Sequence, residues 1–134
     1  MTATAAETAS KRMRWAGHGL STLVILFLLM DAAMKLLRLP VVLDTTAQIG
    51  WPAASVVPLG IILLICTALY ALPRTAVLGA VLLTAYLGGT VATHARIGSP
   101  LFSHTLFGVY LGIMLWGGLY LRDDRLRGLI PYRR

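Results

Sequence analysis

Residues 52–93 read PAASVVPLGIILLICTALYALPRTAVLGAVLLTAYLGGTVAT, and Arg74 is the one charged side chain among them. Two apolar runs, Pro52–Leu72 and Thr75–Thr93, flank Pro73 and Arg74. Each run has about 19 to 21 residues, enough at ~1.5 Å per helical residue to cross a hydrocarbon core of ~30 Å. Lipid offers backbone amides no partner, so a spanning segment satisfies its own hydrogen bonds as a helix. The runs are too long and too evenly apolar for barrel strands, whose residues alternate. The two-residue connection makes these helices antiparallel neighbours.

Two more runs complete the pattern, Trp15–Leu37 before the hairpin and Leu101–Leu121 after it. The fold class expected is therefore all-α, an antiparallel four-helix transmembrane bundle. Composition agrees. Of 134 residues, 57% are hydrophobic and 13% charged, against about 25% charged in soluble domains. The net charge is +7, but no basic face on a folded domain speaks for nucleic acid. The lone Cys66 excludes an intramolecular disulfide and a self-contained dithiol relay.

Residues 1–14 are expected to form a disordered cytoplasmic tail, beginning with the small and polar MTATAAETAS. The basic KRMR before the first run resembles a signal peptide. However, the run continues through AAMKLLRL without a small-residue cleavage site. Charge sets the expected orientation. With the N-terminus inside, the inner side holds Lys11, Arg12, Arg14, Arg74, Arg122, Arg125, Arg127, Arg133 and Arg134. The outer side holds Lys35, Arg38 and Arg96. The excess puts both termini in the cytoplasm. Residues 122–134 then form a basic cytoplasmic tail.

The first outer loop, VVLDTTAQIGW, can form an interfacial helix after Pro40 with Trp51 at headgroup level. Gly98 and Pro100 break the second. Tyr70, Tyr110, Tyr120, Trp15 and Trp116 read as aromatic belts. Gly88, Gly89, Gly108 and Gly112 are the expected packing positions, the last two as a GxxxG. Small residues let membrane helices approach closely. They serve the bundle itself or, through Gly108 and Gly112, a homodimer.

The polar residues gather at the outer end. Asp31 and Lys35 share a helix face at i, i+4, with Arg38 one turn on. Tyr86, Thr90 and His94 form a stripe on the third span, Arg96 closes it, and His104 opens the fourth. An intramembrane carboxylate is a functional candidate by default. The plain alternative is a satisfied Asp31–Lys35 pair that fixes helix ends. For His94 and His104 three readings stand: ligands of haem iron or, with Asp31, of a metal; a hydrogen bond from His94 to a quinone-like carbonyl; or interfacial histidines.

PRTAVLGAVLLTAYLGGTVATHARIGSPLF and WGGLYLRDDRLRGLIP, with DAAMKL and GWP upstream, resemble the DoxX-like family of small bacterial four-helix membrane proteins. The resemblance covers residues 15–131. It implies an integral protein of the bacterial plasma membrane. The family is named after a subunit linked to thiosulfate:quinone oxidoreduction, and relatives are associated with membrane redox complexes. The matching positions are Asp31, Lys35, Gly50, Pro52, Tyr86, Gly89, His94 and Arg96.

The functional expectation is a non-catalytic subunit or binding module that engages a quinone-like ligand at the outer end. Asp31, Lys35, His94, Arg96, His104 and Tyr86 form its ligand-binding set, with no catalytic residue and no metal. The lipid bilayer and a redox protein are its expected partners. The alternatives are a small proton-coupled transporter, or a purely structural assembly partner.

Overall fold

The structure is a computed structural model that describes residues 2–130. Six α-helices follow in order: α1 (Thr2–Leu36), α2 (Pro40–Gln48), α3 (Val56–Ala71), α4 (Ala76–Arg96), α5 (Phe107–Arg122) and α6 (Asp124–Leu129). A 3-10 turn at Ala53–Ser55 leads into α3, and a π turn at Leu101–Thr105 precedes α5. Four helical segments are long and apolar enough to cross a membrane: Glu7–Leu36, Ala53–Ala71, Ala76–Arg96 and Leu101–Arg122. They are the four expected spans.

The long helices form a ring in which α1 packs on α3, α3 on α4, α4 on α5 and α5 on α1. Leu28, Leu63, Leu83 and Leu115 fill its centre, each no more than 1% exposed. Leu23, Leu26, Ile65, Val81 and Ile113 point outward and are all more than half exposed. An apolar girdle of this kind fits lipid rather than water.

Three helix ends near α2 close with the same six-residue C-cap. At α1, Leu39 N–H donates to Met34 O and Arg38 N–H to Lys35 O. At α2, Trp51 bonds Thr46 O and Gly50 bonds Ala47 O; at α4, Ser99 bonds His94 O and Gly98 bonds Ala95 O. The capping residue must adopt a left-handed backbone. Gly50 (φ 84°) and Gly98 (φ 71°) do so freely, whereas Arg38 (φ 51°) does so with a side chain.

Several details correct the expectations. Residues 2–14 continue α1 as helix. The segment is alanine-rich, and extending an existing helix needs no new nucleus. The C-terminal segment also folds back. Asp123 caps α6 by accepting from Arg125 N–H at 2.9 Å. Arg127 donates to Tyr120 O and Leu121 O at 2.7 and 2.8 Å, closing the end of α5, and pairs with Asp124. Residues 131–134, the rest of the expected tail, lie outside the described residues. Arg14 meets Asp124 at 3.1 Å, so the two terminal segments share one end of the bundle.

That terminal end is tightly packed. A Cβ at Gly17 would lie 2.7 Å from Gly118 O, and one at Gly79 would lie 2.2 Å from Tyr70 N. These close approaches exist because neither position has a side chain. Of the expected packing glycines, only Gly108 makes such a contact, with Leu87 O and Val91 Cγ2 each 2.9 Å from its would-be Cβ. Gly88, Gly89 and Gly112 meet nothing within 4 Å. None of the three brings a neighbouring helix into close contact, and Gly89 opens instead on a cavity.

Tyr70 is a core residue, wholly buried, rather than part of a belt. Its hydroxyl donates to Leu115 O at 2.6 Å. A phenol has one proton, so Ser21 must donate its own across the 2.9 Å to Tyr70. The Arg122 guanidinium lies 5.2 Å over the Tyr70 ring and donates to Tyr70 O at 3.3 Å.

Candidate functional site at the Asp31 end

At the opposite end the helices part. A cavity of ≈ 540 Å³ opens between α1, α4 and α5 beneath α2, within the range of small-ligand sites. Its walls are largely apolar. Phe27 and Phe107 stand tilted at 5.5 Å between centroids, with Leu28, Leu59 and Leu111 around them. Gly89 exposes backbone to the space. Gly108 draws α5 against α4 at Leu87, which sets one edge of the hollow.

Asp31 and Lys35 lie on one face of α1, a turn apart, and Lys35 Nζ donates to Asp31 Oδ1 at 2.7 Å. Lys35 is held from behind by α3. A Cβ at Gly60 would lie 2.9 Å from Lys35 Cβ and 3.3 Å from Ala32 O. The lysine stem fills the place a side chain at residue 60 would take, and its side chain is 17% exposed against 34% for Asp31. The two charges therefore sit in a shared wall of the cavity.

On α4, the stripe Tyr86, Thr90, Thr93 and His94 also lines the cavity. Thr90 and Thr93 donate to Tyr86 O (3.3 Å) and Gly89 O (2.8 Å), which leaves their oxygens as acceptors. No hydrogen bond engages the Tyr86 hydroxyl among the described residues. His94 Nδ1 pairs with Ser99 Oγ at 3.0 Å in the turn that follows α4.

α2 covers the mouth. Pro40 starts it at the first helical position, where its missing N–H costs nothing. Val42 and Thr46, a turn apart, face inward, while Asp44 faces away. Val41, Thr45 and Ile49 complete the cover. Trp51 Nε1 donates to Thr93 Oγ1 at 3.3 Å and ties the end of this loop to α4.

Of the expected site residues, Asp31, Lys35, Tyr86 and His94 meet around this cavity. Arg96 and His104 do not line it. Arg96 ends α4 on the exposed surface, its guanidinium near Gly50. His104 falls in the π turn, exposed, and pairs with Ser103 Oγ at 2.7 Å. The His94 and His104 rings meet edge to face at 5.9 Å between centroids. Among the described residues no group of three His, Cys, Asp or Glu is placed to hold a metal.

Sequence reasoning missed the role of α2 and of Phe27, Leu59 and Phe107. The i, i+4 pair Val42 and Thr46 carried a signal, because it gives the short helix one inward face.

Neither a curated relative nor a solved structure matches the chain. A family model described as DoxX-like does match, over residues 19–118, a stretch that takes in α2, α3 and α4 whole, about half of α1 and most of α5. That stretch holds every residue lining the cavity. The protein is thus a membrane-spanning member of the DoxX-like family.

Proposed function

We propose that the protein is a non-catalytic binding module of a membrane redox system, which holds a quinone-type ligand in the cavity at the Asp31 end. One observation carries the reading. An apolar cavity of ≈ 540 Å³ has its ionisable groups, Asp31, Lys35, Tyr86 and His94, on two facing helices. Such a site suits a ring with polar substituents and an apolar tail. Tyr86 is the ready donor to a ring oxygen, and Phe27 and Phe107 offer aromatic faces to the ring.

A single buried thiol, Cys66, gives the chain no dithiol of its own. Electrons therefore come from a separate redox partner. The excess of basic residues at the terminal end favours the cytoplasmic side of a bacterial plasma membrane for that end.

The test is to extract the protein in mild detergent and quantify bound quinone-type lipid by mass spectrometry, for wild type and Tyr86→Phe. A near-stoichiometric amount in the wild type and its loss from the folded variant is expected. Bulk phospholipid alone in both samples would end the proposal.

A further inference from the structure

The hydrogen-bonding capacities around the cavity are unequal, and they discriminate between redox forms of a ring ligand. Asp31 Oδ1 accepts from Lys35 Nζ at 2.7 Å, and its second oxygen has no partner among the described residues. A carboxylate accepts and never donates. Thr90 and Thr93 have turned their protons to Tyr86 O and Gly89 O. Towards the cavity, Asp31 and Thr90 present oxygen lone pairs only, while Thr93 Oγ1 already accepts from Trp51 Nε1 at 3.3 Å.

The donors are the Tyr86 hydroxyl, the protons of Lys35 not used by Asp31 and, in one tautomer, His94 Nε2. A quinone carries carbonyl oxygens, which can pair with these donors but meet Asp31 as one acceptor facing another. A hydroquinone carries hydroxyl groups. Each can donate to Asp31 or to a threonine oxygen while accepting from Tyr86 or Lys35.

We infer that the cavity selects the reduced, hydroxyl-bearing form of its ring ligand, with Asp31 as the residue that sets the selection. The inference rests on the quinone-type reading above and adds which form is held. A hydrogen bond from a neutral hydroxyl to a carboxylate is charge-assisted. An unpaired carboxylate facing a carbonyl forgoes it. A preference of about tenfold follows at the least. Tenfold tighter binding of the reduced form raises the two-electron potential of the bound couple by about 30 mV. The occupied site then favours arrival of electrons over their departure.

The experiment is equilibrium dialysis of the purified full-length protein in lipid nanodiscs against a decyl-substituted benzoquinone and, under anaerobic conditions, its hydroquinone. Wild type should hold the hydroquinone about tenfold more tightly. In Asp31→Asn, whose amide can also donate, the ratio should fall towards one. In Tyr86→Phe both forms should weaken while the ratio persists. The wild-type ratio decides the selection even if Asp31→Asn does not fold, and Asp31→Glu, which keeps the carboxylate, should then preserve it. Equal or tighter binding of the quinone by wild type overturns the selection and leaves the binding proposal standing. A folded Asp31→Asn with an unchanged ratio overturns the role of Asp31. Failure of both probes to bind wild type overturns the quinone-type reading itself.

Discussion

Gly118 and Gly112 lie on one face-changing stretch of α5, and the same substitution at each should have opposite consequences. A Cβ at Gly118 would sit 2.5 Å from Ser21 Oγ, 2.9 Å from Ser21 N and 3.1 Å from Gly17 O. Two of these atoms are α1 backbone, so a rotamer change relieves only one clash. In Gly118→Ala the helices must part by roughly half an ångström to regain ordinary contact. Overpacking of this kind costs about 1–3 kcal/mol. Ser21 also donates to Tyr70, and losing an interhelical bond in a membrane bundle adds about 0.6 kcal/mol, up to ~1.7. The sum is a loss of about 2–4 kcal/mol. Gly112 meets nothing within 4 Å. Gly112→Ala should therefore be neutral, or stabilising by up to about 1 kcal/mol through helix propensity. The assay is reversible unfolding in mixed dodecylsulfate and maltoside micelles, followed by far-ultraviolet circular dichroism. Two variants within about 0.5 kcal/mol of each other, inside the usual error of additivity, would refute the close α1–α5 crossing.

Other outcomes follow from the same geometry. Ser21→Ala and Tyr70→Phe should each destabilise, with a coupling of about 0.6–1.7 kcal/mol in a double-mutant cycle; zero coupling would mean the buried bond of 2.9 Å contributes nothing. Arg38→Gly should raise the unfolding free energy by about 1 kcal/mol, because Arg38 adopts φ 51° with a side chain. Gly50→Ala, at φ 84°, should lower it by a similar ~1 kcal/mol; midpoints that shift the same way would contradict the capping account. Lys35→Met strands the Asp31 carboxylate in a largely apolar wall and should cost about 1–3 kcal/mol. Adding Asp31→Asn should recover most of that loss, and the same micelle titration reads both.

Much of the architecture was legible because lipid permits few solutions. A stretch as apolar as residues 52–93 can only be two helices and a turn, and helix length then fixes the depth of every polar residue. That is why Asp31, Lys35, Tyr86 and His94 could be placed together from spacing alone. Rotation about each helix axis was not legible. It decides that Gly108 packs while Gly112 does not, and that Gly17, Gly60, Gly79 and Gly118 make close approaches. These four belong to no shared motif, since the partner of each is on another helix. Rotation also decides that Tyr70 turns inward to Leu115 rather than outward to headgroups. His104 escaped for a local reason. A π turn at Leu101–Thr105 delays the start of α5, and the imidazole swings to the surface beside Ser103. Residues 2–14 look like a tail by composition, but their alanines extend a helix that the apolar run has already nucleated.

The contrast between the two ends of the bundle has a physical consequence for traffic. The residues around the cavity reach no deeper than Phe27, Ala85 and Leu111. Beyond them Tyr70 plugs the axis, locked by Ser21 and Leu115, and Gly17, Gly79 and Gly118 bring backbone against backbone. The space is a blind cup. On the reading proposed above, an occupant of this cup would be screened from the terminal end by the Tyr70 plug. The short helix α2 lies over the rim. That helix hangs between two left-handed residues, Arg38 and Gly50, and is latched to α4 by a single indole bond from Trp51.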